Sequence, residues 1–281
     1  MHRYILILAS LISISIFCTE KISAESIAYN KKKAPVVYEI DMLRETVLFT
    51  AGAAMLGTNL FVKEFFPAET ASEYGYENFD KNDINIFDRW AASPYSKTVS
   101  NISDFALGAV ILSPLLLTLD ESLSDTTVYL VMYGETMLLS HSFKELVKST
   151  FPRFRPYNYS SGAADVPESS SESMQSFFSG HTSSAFSAAA FLSTVYSNTH
   201  PEGAGKYLVS IASYSSAAAV GVLRIAAGQH FPSDVVAGAA WGTFIGIFIP
   251  KIHEVKNGKA DNADFLFYPS GPGSINFKLR F

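Results

Sequence analysis

Six apolar segments recur along the chain, and they limit its possible folds more than any other feature. All six are rich in Ala, Leu, Gly and Ser, and few show the alternation of apolar and polar residues that marks a strand, so we predict helices. They cover residues 46–62, 105–119, 128–143, 181–196, 207–225 and 235–249. The sequence therefore predicts an all-α fold, built as a six-helix bundle.

The lengths of these segments bear on whether the bundle lies in a membrane. A membrane-spanning helix needs about 20 mostly apolar residues, whereas these segments have about 15 to 19 and include Ser and Thr. Small residues suit close helix packing in lipid. However, Lys251, Lys256 and Lys259 favour a cytoplasmic C-terminus, which six spans after a cleaved signal would not produce. We expect a membrane bundle with one segment in the interface; a soluble exported bundle is the alternative.

The N-terminus has the layout of a secretory signal. Arg3 precedes an apolar stretch at residues 4–17, and a small residue, Ala24, stands where cleavage is expected. We assign residues 1–24 to a signal peptide or an uncleaved anchor helix, and residues 25–42 to a polar leader. Such a chain is expected in the bacterial cell envelope, in the inner membrane with its site facing the periplasm or, alternatively, free in the periplasm.

The remaining chain divides into a helical domain, residues 43–253, and a tail, residues 254–281. The tail contains "PSGPGS" followed by alternation in "INFKLRF", which predicts a short β-hairpin. Within the domain, the polar stretches 67–103 and 157–175 are long for loops and are expected to cover or line a site.

Composition excludes several classes of protein. The net charge is −5 and no stripe of Lys and Arg is present, which argues against a nucleic-acid partner. The single cysteine, Cys18, excludes an internal disulfide and a cysteine-built zinc site. The six histidines show no paired ligand spacing. We therefore expect neither a metal nor a cofactor.

Three groups of charged and imidazole side chains lie at the ends of the apolar segments. They are Lys148 with Arg155 and Pro156, then Ser179-Gly180-His181, then Arg224 with His230 and Asp234. Taken alone, each has an ordinary structural interpretation as a basic helix end, a helix start or a first-turn acid. The start of a helix also suits an anion, because it presents free N–H groups and the positive end of the helix dipole.

The three groups together indicate a phosphate site. A six-helix bundle can bring these helix ends to one face, which would then hold three cations, two histidines and a carboxylate. Fixed positive charge suits the oxygens of a phosphate dianion, and one imidazole can attack phosphorus while the other acts as an acid. We also predict that Asp234 accepts a hydrogen bond from His230 within about 3.2 Å, which would leave the other ring nitrogen free to react.

The order and spacing of these groups resemble the signature of the type 2 phosphatidic acid phosphatase superfamily: Lys-x6-Arg-Pro, then Pro-Ser-Gly-His, then Ser-Arg-x5-His-x3-Asp. This superfamily includes membrane lipid phosphatases, class A bacterial acid phosphatases and vanadium haloperoxidases. The resemblance covers roughly residues 128–250. Phe178 replaces the first proline of the second block and Leu223 the serine before Arg224. Neither change removes a charged group, so we expect activity to remain.

The resemblance implies a role for each matching residue. His230 attacks phosphorus and forms a phosphohistidine, Asp234 orients that ring, and His181 protonates the leaving oxygen. The phosphate-binding residues are Lys148, Arg155, Ser179, Gly180 and Arg224. Arg153 does not match the spacing, so we interpret it as a charge at the rim or surface.

The function implied by the resemblance is a metal-independent phosphatase that hydrolyses a phosphate monoester or pyrophosphate, carried on a lipid. A soluble exported acid phosphatase of broad specificity, a vanadate-dependent haloperoxidase and a non-catalytic membrane protein are the alternatives. Glu135 and His141 lie inside the third apolar segment. In a membrane such residues are costly and therefore suspected of a function, whereas in a soluble bundle they would be satisfied interior groups.

Overall fold

The computed structural model describes residues 38–66, 79–120, 125–160 and 170–256, together with three short strands beyond them. These residues form six α-helices: α1 (Met42–Phe65), α2 (Lys97–Leu112), α3 (Thr126–Thr150), α4 (Gly180–Thr199), α5 (Gly205–Ala226) and α6 (Pro232–His253). The predicted all-α bundle and its six helices are confirmed. The predicted signal peptide and most of the predicted leader lie outside the described residues.

The helices are longer than the apolar segments because polar capping residues add turns at their ends. The side chains of Asp41, Ser96, Asp125 and Ser179 accept hydrogen bonds from backbone N–H groups in the first turns of α1, α2, α3 and α4. The helix start that moves furthest is that of α2, which begins at Lys97 rather than at residue 105 and continues as a 3₁₀ helix, Ser113–Leu119. This extension adds a polar turn to α2 that contributes to the site described below.

Helix α4 lies at the centre of the bundle and packs against α2, α3, α5 and α6. Its inner positions are small, and Ala185, Ala188 and Ala189 are fully buried. Glycines on α6 face α4 at four-residue spacing, and a Cβ atom on Gly238 would lie only 2.6 Å from the carbonyl oxygen of Ser179. Small residues at this spacing let two helix backbones approach closely. The start of α6 is thereby held against the start of α4.

The outer surface of the bundle is apolar. Large side chains on its helices are exposed, among them Leu60, Phe105, Tyr207, Ile211 and Val236. Four helical stretches are long and apolar enough to cross a membrane: Met42–Phe65, Lys97–Leu119, Gly205–Ala226 and Pro232–His253. An apolar surface of this extent is expected to face lipid rather than water. We therefore treat the chain as a membrane protein.

The described strands belong to the C-terminal tail. Strands β1 (Val255–Lys256) and β2 (Lys259–Ala260) pair as an antiparallel ribbon. Strands β3 (Phe265–Gly271) and β4 (Ser274–Leu279) form a second antiparallel ribbon, with an irregularity between Pro269 and Gly271. The hairpin predicted around "PSGPGS" is confirmed.

Candidate active site

Four helix ends meet at one end of the bundle and enclose a pocket of about 520 Å³. They are the ends of α3 and α5 and the starts of α4 and α6. The predicted site residues that line the pocket are Lys148, Arg155, Gly180, His181, Arg224 and His230. The prediction that these helix ends converge is therefore confirmed. Ser179 and Asp234, the other two predicted site residues, are fully buried behind the lining.

The arginines of the pocket have lost contact with water without gaining a full set of partners. Arg155 and Arg224 are only 6% and 4% exposed. The Nε atoms of both are buried and have no hydrogen-bond partner among the residues that the structure describes. Buried donors are normally satisfied, and leaving one unpaired costs free energy. With Lys148 beside them, these donors form a cationic site that an anion with several oxygens would complete.

A sharp turn carries His230 from the end of α5 into the pocket. Gly228 has a φ of +69°, and a Cβ atom there would lie 2.7 Å from the carbonyl oxygens of Ser93 and Pro94. Only glycine fits this combination of left-handed backbone and close approach. The N–H of Tyr157 also donates to the carbonyl oxygen of Gly228, at 3.2 Å. The turn is thus held by the segment that follows α3.

The ring of His230 has one free nitrogen. Its Nδ1 atom lies 2.8 Å from the carbonyl oxygen of Ser176, which can only accept, so Nδ1 carries a hydrogen and donates it. Burial, together with the nearby charges of Arg155, Lys148 and Arg224, holds the pKa of His230 well below its usual value. The ring is therefore neutral at pH 7, and its Nε2 atom keeps a lone pair.

The predicted hydrogen bond between Asp234 and His230 is wrong. The Oδ2 atom of Asp234 is 3.8 Å from Nδ1 of His230, which is beyond hydrogen-bond range. This oxygen instead accepts from the Ser176 hydroxyl at 2.6 Å and from the N–H of Phe231 at 2.8 Å. Asp234 therefore acts on the ring through Ser176, whose hydroxyl contacts the carboxylate and whose carbonyl holds the imidazole.

The interpretation of Arg153 as a rim or surface charge is also wrong. Its guanidinium group donates to Asp234 at 2.5 Å, to Ser233 at 2.8 Å and to Asp88 at 2.8 Å. Asp88 is fully buried. Although burial opposes it, hydrogen bonds from Ser233, Arg153 and Asn85 hold the pKa of Asp88 below its usual value. Arg153 thus joins the loop before α2, the segment after α3 and the start of α6.

Spacing alone excluded Arg153 because the matched arginine of the block is two residues later. For Asp88, which Arg153 contacts, the sequence offered one signal: it lies in the long polar stretch 67–103, which we expected to cover or line a site. The structure places Asp88, from this stretch, in contact with the start of α6. Tyr95 and Ser100, from the same stretch, line the pocket, so that part of the expectation is confirmed.

His181 faces the pocket from the first turn of α4 and contacts a carboxylate that the sequence did not single out. Its Nε2 atom lies 2.6 Å from Oδ1 of Asp104, on α2. The same oxygen is 3.3 Å from a terminal nitrogen of Arg224. The side chain of Asp104 is half exposed, at 53%. Asp104 was missed because the apolar segment from which α2 was predicted begins one residue later.

The remaining predicted residues lie beside the start of α4. The Ser179 hydroxyl caps the helix, since it accepts from the hydroxyl of Thr182 at 2.9 Å and faces the Thr182 N–H at 3.4 Å. Its proposed bond to phosphate stays a prediction, while Gly180 lines the pocket. Phe178, which replaces a proline of the family pattern, is buried against Phe143. The packing of Phe178 on Phe143 thus holds the chain at a position where the family pattern has a proline.

The fold and the site together define a membrane-embedded helical protein with a cationic, histidine-containing pocket at one end. Residues 129–257 match the PAP2 superfamily, and this segment contains every predicted site residue. Over this segment, somewhat less than half of its length, the chain is similar to that superfamily.

One solved structure is also similar, that of the first transmembrane PAP2-type phosphatidylglycerolphosphate phosphatase from Bacillus subtilis. The two chains are 22% identical, the match covers 75% of this chain and 95% of that one, and the TM-score is 0.40. No curated protein matches the chain.

Proposed function

We propose that the protein is a membrane phosphatase that removes phosphate from a lipid through a phosphohistidine on His230. The similarity of residues 129–257 to the PAP2 superfamily supports phosphatase activity in general. The observation that carries the proposal is the pairing of a neutral, buried imidazole with two buried guanidinium groups whose Nε donors are unpartnered. Such a pocket has a nucleophile and a set of vacant donors, and a phosphate ester would complete both.

The reaction is expected to proceed in two steps. Nε2 of His230 attacks phosphorus, and the bond from phosphorus to the leaving oxygen breaks while His181 gives that oxygen a proton. A water molecule then attacks phosphorus and gives a proton to His181 while the bond from phosphorus to Nε2 of His230 breaks, which restores the lone pair of the ring and releases inorganic phosphate. Lys148, Arg155 and Arg224 stabilise the charge on the phosphoryl oxygens in both steps. Burial and the charge of Arg224 lower the pKa of His181 to about 4, and the contact with Asp104 opposes this shift and so supports the protonated imidazole that the first step consumes.

Access to the pocket supports a lipid substrate. Leu107 on α2 and His141 on α3 belong to the lining, so the pocket extends along both helices beyond their ends. Toward the far end of the bundle the two helices come together, where the Tyr133 hydroxyl donates to the carbonyl oxygen of Ile111 at 2.6 Å. A cleft between α2 and α3 would let a phosphate head group enter the pocket while its acyl chains stay in the bilayer.

Exposed apolar side chains around the pocket support the same substrate. Ile86, Phe87 and Trp90 are 86%, 58% and 70% exposed, in the loop that carries Asp88. Phe151, just after α3, is 61% exposed. Aromatic and large apolar residues are favoured at the membrane–water boundary. We therefore propose that the pocket lies near one membrane surface, and that this surface faces the periplasm.

Phosphate release by the purified full-length protein, reconstituted in vesicles, tests the proposal. We expect release from phosphatidic acid and its loss in His230→Ala, whereas Glu254→Gln, outside the pocket, should match the wild type. Vanadate should inhibit, because it adopts the geometry of the phosphoryl-transfer transition state. A chelator added during the assay should have no effect, since side chains supply the positive charge. Release that depends on added magnesium, or that survives in His230→Ala, would contradict the proposal.

A further inference from the structure

A second polar cluster lies at the opposite end of the bundle. Glu45 near the start of α1, Glu135 in α3 and His253 at the end of α6 are 7%, 0% and 1% exposed. Glu135 precedes Lys148 by thirteen residues on α3, which places the cluster about 20 Å from the phosphate pocket along that helix. The cluster takes no part in the reaction proposed above, so its charged groups need a separate explanation.

The hydrogen bonding of His253 leaves a lone pair facing two carboxylates. Its Nδ1 atom is 2.9 Å from the carbonyl oxygen of Ile249, so Nδ1 carries a hydrogen and donates it. In the neutral ring Nε2 is then an acceptor, yet it lies 3.1 Å from Oε1 of Glu45 and 3.3 Å from Oε2 of Glu135. Three acceptor atoms at these distances repel one another unless a cation or a proton lies among them.

Unpartnered oxygens point to the same conclusion. Both carboxylate oxygens of Glu135 and the Oε2 atom of Glu45 are buried and have no hydrogen-bond partner among the described residues. A buried carboxylate without donors is strongly unfavourable. One atom from each of the three residues lies within 4.8 Å of the others, so a single ion could reach all of them.

The distances also fit metal coordination. In a tetrahedral zinc site with bonds of about 2.0–2.1 Å, neighbouring ligand atoms are about 3.3 Å apart. The two separations from Nε2 of His253, 3.1 and 3.3 Å, are of this size. A metal-bound histidine typically donates its other N–H to a carbonyl or carboxylate, as His253 does to Ile249. Arg44 and the N–H of Asp41 donate to Oε1 of Glu45 itself, at 2.9 and 3.2 Å, so these donors hold the oxygen that faces His253 in place.

We propose that Glu45, Glu135 and His253 form a binding site for a divalent transition-metal ion such as Zn²⁺. One imidazole and two carboxylates are ligands that zinc accepts. The ion would join the first helix of the bundle to α3 and α6 and would contribute to stability rather than to catalysis. The competing arrangement needs no metal: one proton lies among the three atoms, either on Oε2 of Glu135, 3.3 Å from Nε2 of His253, or on that Nε2 atom itself.

Zinc binding to the purified full-length protein in detergent tests this site. After treatment with a chelator and reloading with Zn²⁺, elemental analysis should find about one ion per chain in the wild type. Glu135→Gln and His253→Gln should each bind zinc more than about 100-fold more weakly, because loss of a ligand costs more than loss of an outer-shell partner. Glu254→Gln, which changes the adjacent carboxylate, should bind as the wild type does. Zinc should raise the midpoint of thermal unfolding only in the wild type and this control.

Two results would overturn the metal site. One is a folded wild type that retains no zinc. The other is zinc binding by Glu135→Gln and His253→Gln that equals zinc binding by the wild type. If those variants fail to fold, Co²⁺ loaded into the wild type decides the question, because a tetrahedral site gives intense visible absorption and its absence rejects the proposal. Phosphate release is a separate readout, so failure here leaves the proposed phosphatase activity intact.

Discussion

His230 and His181 face one pocket, but their contacts prepare them for different chemistry. His230 is 1% exposed and donates from Nδ1 to a backbone carbonyl, which leaves a neutral ring with a lone pair. His181 contacts the carboxylate of Asp104 at 2.6 Å; burial and the charge of Arg224 lower the pKa of His181 to about 4, and Asp104 opposes that shift by stabilising a proton on the ring. The first arrangement suits a nucleophile and the second suits a general acid.

Replacement of each histidine should separate these roles. His230→Ala should abolish the phosphoenzyme. His181→Ala should slow hydrolysis of lipid or alkyl phosphates by about 10² to 10⁴-fold, and that of p-nitrophenyl phosphate much less, because nitrophenolate leaves without a proton. Labelled phosphate trapped on the protein under alkaline quench, with rates on both substrates, measures this. If His230→Ala still traps phosphate and His181→Ala does not, the two roles must be exchanged.

Asp104 gives a second prediction at this scale. Its carboxylate contacts His181 and Arg224, so it supports the acid and also competes with phosphate for an arginine. In Asp104→Asn, inorganic phosphate should inhibit more strongly, while hydrolysis of alkyl phosphates slows. The alkaline limb of the pH–rate profile should move to lower pH, because the protonated imidazole loses its counter-charge. An unchanged profile and unchanged inhibition would show that Asp104 has neither effect.

At the scale of elements, the site depends on contacts between segments far apart in sequence. Arg153 holds the segment after α3 to the loop that carries Asp88 and to the start of α6. The close packing of α6 on α4 brings the two histidine-bearing ends together. Each contact can be tested by a single substitution.

Arg153→Gln should lower both stability and kcat. It leaves Asp88 and Asp234, both fully buried, without their cation, and breaking a buried ion pair costs about 3–5 kcal/mol. Arg153→Lys keeps the charge but has only one nitrogen, whereas two nitrogens of Arg153 contact Asp234 and Asp88. Compared with Arg153→Gln, it should therefore retain more stability but only a little more activity. Thermal unfolding and steady-state kinetics measure the two effects. Wild-type kcat in Arg153→Gln would show that the contact does not position the nucleophile.

Gly238→Ala should separate α6 from α4. The added Cβ atom would lie 2.6 Å from the carbonyl oxygen of Ser179, and such overpacking costs about 1–3 kcal/mol. Gly108→Ala is the matched control, since a Cβ atom there meets nothing within 4 Å and alanine favours a helix. We expect lower stability and activity only in Gly238→Ala. Equal behaviour of the two variants would mean that the helices adjust without cost.

At the scale of the whole molecule, the bundle has an apolar outer surface and polar groups at its two ends. Four helical stretches are long and apolar enough to cross a membrane. The proposed phosphate pocket lies at one end and the cluster of Glu45, Glu135 and His253 at the other. We expect that only detergent extracts a protein of this kind from membranes.

Washing membranes with alkaline carbonate provides the test. Carbonate removes peripheral and soluble proteins but leaves spanning helices in the bilayer, so the full-length chain should remain in the pellet and dissolve in detergent. Release into the carbonate supernatant would instead support the soluble exported form considered from the sequence.

The sequence alone determined the helical class and the six helices, and its three motifs predicted which helix ends carry the proposed site residues. These depend on local patterns: apolar runs set the helices, and motif spacing places side chains at helix ends. Only the tertiary structure decided three further contacts: the hydrogen bond of Asp234 with Ser176, that of Arg153 with Asp88, and that of His181 with Asp104. Each of these contacts joins two segments that are far apart in the sequence and that no motif links. The second cluster was visible in sequence only as Glu135 in an apolar segment, because its partners lie 90 or more residues away. Local periodicity determines which side chains a helix presents, but packing between helices determines which of them meet.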